Sequence, residues 1–80
     1  MEYRSDSADN EYLEIPLGWD DPIAKLRLTF VNNQKTLRLN KVDNQNHVYP
    51  GPEFEMKNVP ELIEALAKMF NDNREKKSGT

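Results

Sequence analysis

The stretch from Ile23 to Val42 constrains this chain more than any other. It reads IAKLRLTFV, then a polar break, then KTLRLNKV. On both sides of the break apolar and polar residues alternate with period two, the pattern of strands with one buried and one wet face. If Asn33-Gln34 forms a two-residue turn, Val31 faces Thr36, Phe30 faces Leu37 and Leu28 faces Leu39. Leu26, Leu28, Phe30, Leu37 and Leu39 then share one face, the expected core. Lys25, Arg27, Thr29, Val31, Thr36, Arg38, Asn40 and Val42 share the other, which is expected to be wet. A slip of one residue would turn the leucines outward, so the apolar pattern selects this register. Asn33 tolerates the left-handed conformation such a turn needs. A longer loop over Asn32 to Lys35 fits the same register.

The hairpin is also where the positive charge lies. Of 80 residues 14 are acidic and 11 basic, a net charge of -3. Residues 1–21 carry seven acids and one base, residues 22–42 five bases and no acid, and residues 43–80 seven acids and five bases. Blocking of this kind produces local fields that the net charge hides. Arg27 and Arg38 come close together in the expected register, and like charges placed so repel. An anion or a nearby acid is needed to offset them, and the acidic leader is one candidate. The bland alternative is that basic residues on strands only protect sheet edges.

The first ten residues are polar, acidic and aperiodic, so they are expected to form a disordered leader. Glu11 to Leu17 reads as a first strand, with Pro16 placing it at a sheet edge. Gly18 to Pro22 is a turn. Trp19, the only tryptophan, is either a lid over the core edge or a stacking platform. Asp43 to His47 is a polar loop, and His47 is expected to be exposed. Pro50-Gly51-Pro52 suits a type II turn with a positive φ at Gly51. Glu53 to Met56 reads as a last short strand, with Phe54 and Met56 facing in.

From Asn58 the period changes to that of a helix. Val59, Leu62, Ile63, Leu66, Met69 and Phe70 form one apolar stripe. Asn58 and Glu61 make a capping box, and Pro60 stands in the first turn, where no backbone donor is needed. Glu64 and Lys68 stand four apart on the wet side. Fraying is expected around Asn71 to Asn73. The stripe is wide enough to pack on the sheet, on a partner helix, or on both. The domain organisation is thus a leader over 1–10, a single α+β domain over 11–72 and a disordered tail over 73–80. The fold class is α+β, an antiparallel sheet of about four strands followed by one C-terminal amphipathic helix.

Much chemistry is excluded. There is no cysteine and only one histidine, so neither disulfides nor a usual zinc site is available. The three glycines are scattered and form no phosphate loop. The chain is expected not to be an enzyme, with no catalytic residue, metal or cofactor. No apolar run approaches a membrane span, and the polar start is not a secretory signal. These features point to an intracellular protein, cytoplasmic or nuclear. A small domain without staples often gains burial by oligomerising.

The order of strands and helix, with Phe54-Glu55-Met56 followed by Pro60-Glu61-Leu62-Ile63-Glu64-Ala65-Leu66, resembles the PC4-like family of single-stranded DNA-binding transcriptional coactivators. That family has a short Ile-Ser-Leu strand and a Pro-Glu-x-aromatic-x-x-Leu helix start. Ile63 stands where the aromatic would be, and Leu66 matches the leucine. The resemblance covers Ala24 to Phe70. It implies a homodimer through the helix over 59–72 and a strand surface for single-stranded or melted DNA in transcription or DNA metabolism. On this expectation Lys25, Arg27, Arg38 and Lys41 neutralise phosphates, while Trp19 and Tyr49, or Tyr12, stack on bases. The competing expectation is a protein-interaction module, a small regulator or a viral inhibitor docking on a larger machine. The acidic leader and the wide helix stripe motivate it.

Overall fold

The computed structural model describes residues 1–18 and 24–78, the last four of these as backbone. Trp19 and the expected turn over 18–22, beyond Gly18, lie outside the described residues. The fold is α+β: an open antiparallel sheet followed by one helix. The strands are β1 (Arg4–Ser5), β2 (Glu11–Pro16), β3 (Lys25–Val31), β4 (Thr36–Val42), β5 (Val48–Tyr49) and β6 (Glu53–Glu55). Their order is β1-β2-β3-β4-β5, with β6 also paired to β4.

The central hairpin has the expected register: Val31 opposite Thr36, Phe30 opposite Leu37, Leu28 opposite Leu39. Its turn is the longer of the two forms. The Val31 carbonyl accepts hydrogen bonds from the Gln34 and Lys35 amides at 3.2 and 2.8 Å. The left-handed residue is Lys35 (φ 56°), not Asn33. Longer hairpin loops are built around a type I turn, and a left-handed residue then returns the chain to the second strand.

Three local expectations are corrected. Residues 1–10 are not a featureless leader, because β1 pairs with β2, Arg4 opposite Tyr12 and Ser5 opposite Glu11. Asp6 makes this possible, its Oδ1 accepting from the Ala8 and Asn10 amides, both at 2.9 Å. A short polar side chain can hold a turn that no core supports. Gly51 has no positive φ; it is required for another reason. A Cβ there would collide with the Leu39 carbonyl oxygen. Only glycine lets the Pro50–Pro52 loop run against β4, where the Leu39 amide donates to the Pro52 carbonyl at 3.0 Å. That loop covers the edge of β4 between β5 and β6. Gly18 does take the positive φ (79°) of a turn.

The third correction concerns the helix. A 3-10 turn over Met56–Asn58 runs directly into α1 (Val59–Ser78). Asn58 therefore lies inside a helical turn, not ahead of one as a cap. Glu61 does fall in the first turn of α1, where the helix dipole favours an anion. Lys68 pairs with Asp72 at 3.0 Å rather than with Glu64. The helix does not stop at Asn71 to Asn73 but continues to Ser78, through much of the expected tail. Asn73 Nδ2 donates to the Met69 carbonyl at 2.8 Å, and the residues beyond are good helix formers.

The location of the core is the main surprise. The best-buried side chains are Val42, Thr29 and Val31, all on the face expected to be wet. The leucine face is only half-buried, because α1 does not lie across it. The helix packs appreciably only on the turn that precedes it. Ile63, Leu66, Met69 and Phe70 are each more than 60% exposed. The radius of gyration is 14.6 Å, against about 12 Å for a compact domain of this length.

Candidate interaction surfaces

Side chains alternate across the sheet, so its two faces can be built up residue by residue. The first face carries Tyr12, Glu14, Lys25, Arg27, Thr29, Val31, Thr36, Arg38, Asn40, Val42 and Glu53, as the pairings of β2, β3, β4 and β6 require. Glu14 stands opposite Arg27 in the ladder. Arg27 donates from Nε to Glu14 Oε2 at 2.9 Å, and its Nη2 lies 2.8 Å from the same oxygen. The Arg27 guanidinium also stacks on the Tyr12 ring, 4.2 Å from its centroid. Lys25 reaches the other oxygen of Glu14 at 3.8 Å. Across the sheet Glu53 accepts from Thr36 Oγ1 at 2.6 Å and from Arg38 Nε at 3.1 Å. These two bonds, Thr36 first and Arg38 second, hold the Glu53 carboxyl below its ordinary pKa.

The repulsion between Arg27 and Arg38 is thus answered inside the sheet, by Glu14 of β2 and Glu53 of β6. The leader is not the main counter-acid. Only Glu2 approaches, beside Arg4, Glu14 and Lys25 at a shallow depression. Sequence reasoning passed over Glu14 and Glu53 as site residues. Carrying the period-two register from β3 outward to β2 would have found Glu14. Glu53 depends on the path of the Pro50–Pro52 loop and had no local signal.

The structure does not bring all the expected phosphate ligands together. Lys25, Arg27 and Arg38 share the first face, but Lys41 and Tyr49 pair on the opposite one. Lys41 Nζ lies 5.5 Å from the Tyr49 ring centroid. The Tyr49 hydroxyl donates to Asp43 Oδ2 at 3.0 Å, which raises the tyrosine pKa. Asp43 organises the β4–β5 turn, its Oδ1 accepting from the Gln45 and His47 amides, both at 2.9 Å. The His47 amide is the largest cause of a lowered Asp43 pKa. The His47 ring rests against Tyr49, centroids 4.8 Å apart, and is otherwise exposed as expected.

Away from Lys41 and Tyr49, the second face is apolar. Tyr3, Glu11, Leu13, Leu28, Phe30, Leu37 and Met56 line a groove of about 360 Å³. Its one charged group is Glu11, at the rim nearest β1. The helix stripe forms a second apolar surface, separate from this groove.

Among the described residues, no group of three or more histidine, cysteine or acidic side chains is placed to hold a metal. No described helix is long and apolar enough to cross a membrane. Compared with family models, with curated proteins and with solved structures, the chain matches none.

Proposed function

We propose that this chain is a small protein-interaction module, working through the groove on its leucine face and the apolar stripe of α1. The observation that carries the reading is that both surfaces are open in a single copy, although their residues have the composition of a core. Soluble monomers rarely expose large contiguous apolar patches, and those that persist mark interaction sites. The paired cations favour this reading over nucleic acid. Arg27 and Arg38 would have to give up Glu14 and Glu53, or share them, to meet a phosphate. The test is recovery of a stoichiometric protein partner, or of a second copy, from the full chain after nuclease treatment. Leu66→Glu, on the exposed stripe, should abolish that association while the circular-dichroism spectrum stays unchanged. Association that survives Leu66→Glu would count against the reading.

The nucleic-acid reading retains one specific support: Lys25, Arg27 and Arg38 lie on one sheet face, with the Tyr12 ring against Arg27. A single strand of DNA would bind there by phosphate neutralisation and stacking. Fluorescence anisotropy with a labelled single strand across a salt series tests it. Binding should weaken linearly in log–log form as salt rises, and Glu14→Gln should strengthen it. Absence of binding at low salt excludes this mode.

A further inference from the structure

We infer that the occupant of the leucine-face groove is helix α1 of a second copy, exchanged reciprocally. This rests on the interaction-module reading and names its partner. The apolar surface missing from the sheet is the one displayed by the helix, yet within one chain they do not meet.

The connection explains why. Met56 both lines the groove and begins the 3-10 turn. That turn passes into α1 at Val59 without an intervening residue. Folding a helix back over the strand that leads into it takes a loop of a few residues, typically about 2–8 between packed elements. Here the three residues between β6 and α1, Met56–Asn58, are taken up by a 3-10 turn that runs straight on into the helix, so α1 leaves the sheet and its own groove stays open. A second copy is under no such constraint.

The dimensions agree. The apolar stripe of α1 occupies Val59 to Phe70 of its 20 residues and is about 18 Å long. The strands β3 and β4, of 7 residues each, span roughly 23 Å. A stripe of this length, laid across the face, reaches most of the groove. The accessible surface of the chain is 6679 Å², about 1,700 Å² more than the ~5,000 Å² of a compact monomer of this mass. Permanent homodimer interfaces bury about 2,000–5,000 Å² in total, so an excess of this size on each of two copies falls within that range. A two-fold axis makes the exchange self-complementary: each copy gives one helix and receives one, and no open end is left to propagate.

This arrangement differs from a dimer in which the two helices pack on each other. The chain has no cysteine, so single cysteines can be introduced without background. The full chain should sediment at twice its 9.3 kDa. An equimolar mixture of Leu28→Cys and Met69→Cys should then oxidise to a mixed disulfide dimer, groove to helix. Met56→Cys, at a more exposed groove position, serves as a second acceptor should Leu28→Cys fail to fold. A disulfide formed only between two Met69→Cys chains would overturn the exchange in favour of helix-to-helix packing. So would a chain that stays at 9.3 kDa up to high micromolar concentration. In that event a stoichiometric foreign protein would leave the interaction-module reading standing, and its absence would remove both. A complementary check mixes Leu28→Lys with Leu66→Glu. Each alone should be monomeric. Together they should regain the dimer, because one interface keeps both native surfaces and the other sets a lysine against a glutamate.

Discussion

The two faces of the sheet have exchanged the roles that their compositions suggest. The face rich in Lys, Arg and Thr holds Val42 at 2% exposure, with Val31 and Thr29 nearly as well buried. The face built of Leu, Ile and Phe remains half-open. The difference lies in what each face finds nearby. On the polar face, long side chains lie flat over their neighbours: Arg27 on Tyr12, Arg38 toward Glu53. Their charged heads stay paired with acids of the same face, and Val42 lies opposite Lys25 beside Glu14 and Asp43, so long polar side chains can surround a buried valine in a way that composition alone does not reveal. On the apolar face no second layer is available within the chain, since the helix does not lie across it. Alternation therefore sorts side chains to faces, but burial needs a cover.

The largest expected effect tests the open face. Ile63→Glu with Leu66→Glu places two charges on the exposed stripe of α1. Assembly of any kind should be lost, with sedimentation falling to the mass of one chain, while secondary structure is retained. An unaltered mass would mean that the stripe is idle and that the two faces do not differ in function.

Next comes the sealed face. Val42→Ala should cost about 2 kcal/mol, from two lost methyl groups and an unfilled space. The loss should be independent of protein concentration. Leu28→Ala should behave differently, costing about 1 kcal/mol at high dilution, where its site is half-exposed. Its cost should grow as concentration rises, because the groove is then filled. Urea unfolding at two concentrations separates them, and identical concentration dependence would erase the contrast.

Smaller still is the effect on the charge pairs. Glu14→Gln leaves Arg27 and Lys25 without their carboxylate in a partly buried setting, where the pair contributes about 1 kcal/mol. Glu53→Gln, at a more exposed site, should cost less. A larger loss at Glu53 would show that the β6 side, not the β2 side, organises the polar face.

The last effect is in pH. Glu53 and Asp43 both have folded pKa values below their ordinary ones of 4.5 and 3.8. A depressed carboxyl contributes stability that is present above its unfolded pKa and is lost as pH falls through the lower folded value. Stability should thus be flat in these groups above about pH 5 and decline below their ordinary values. Carboxyl NMR titration should place both midpoints below those ordinary values; a midpoint at or above them would remove the proposed hydrogen bonds.

Much of this molecule is determined by sequence alone. The β3–β4 register follows from a period of two, because a one-residue slip reverses every side chain. The α+β order and the existence of an amphipathic helix follow from the change of period near Asn58. The grouping of Lys25, Arg27 and Arg38 on one face follows from the same alternation; it also sets Lys41 on the other face, although the expected phosphate site had joined it to them. What only the tertiary structure decided is which surfaces are covered. Glu14 reaches Arg27 across a strand pair, and Glu53 reaches Arg38 only because Gly51 lets a loop pass against Leu39. The direction of α1 depends on a turn that enters the helix without a hinge. Alternation and helical period are local properties of consecutive residues. Burial and charge pairing depend on distant segments that happen to arrive, and no local pattern encodes their arrival.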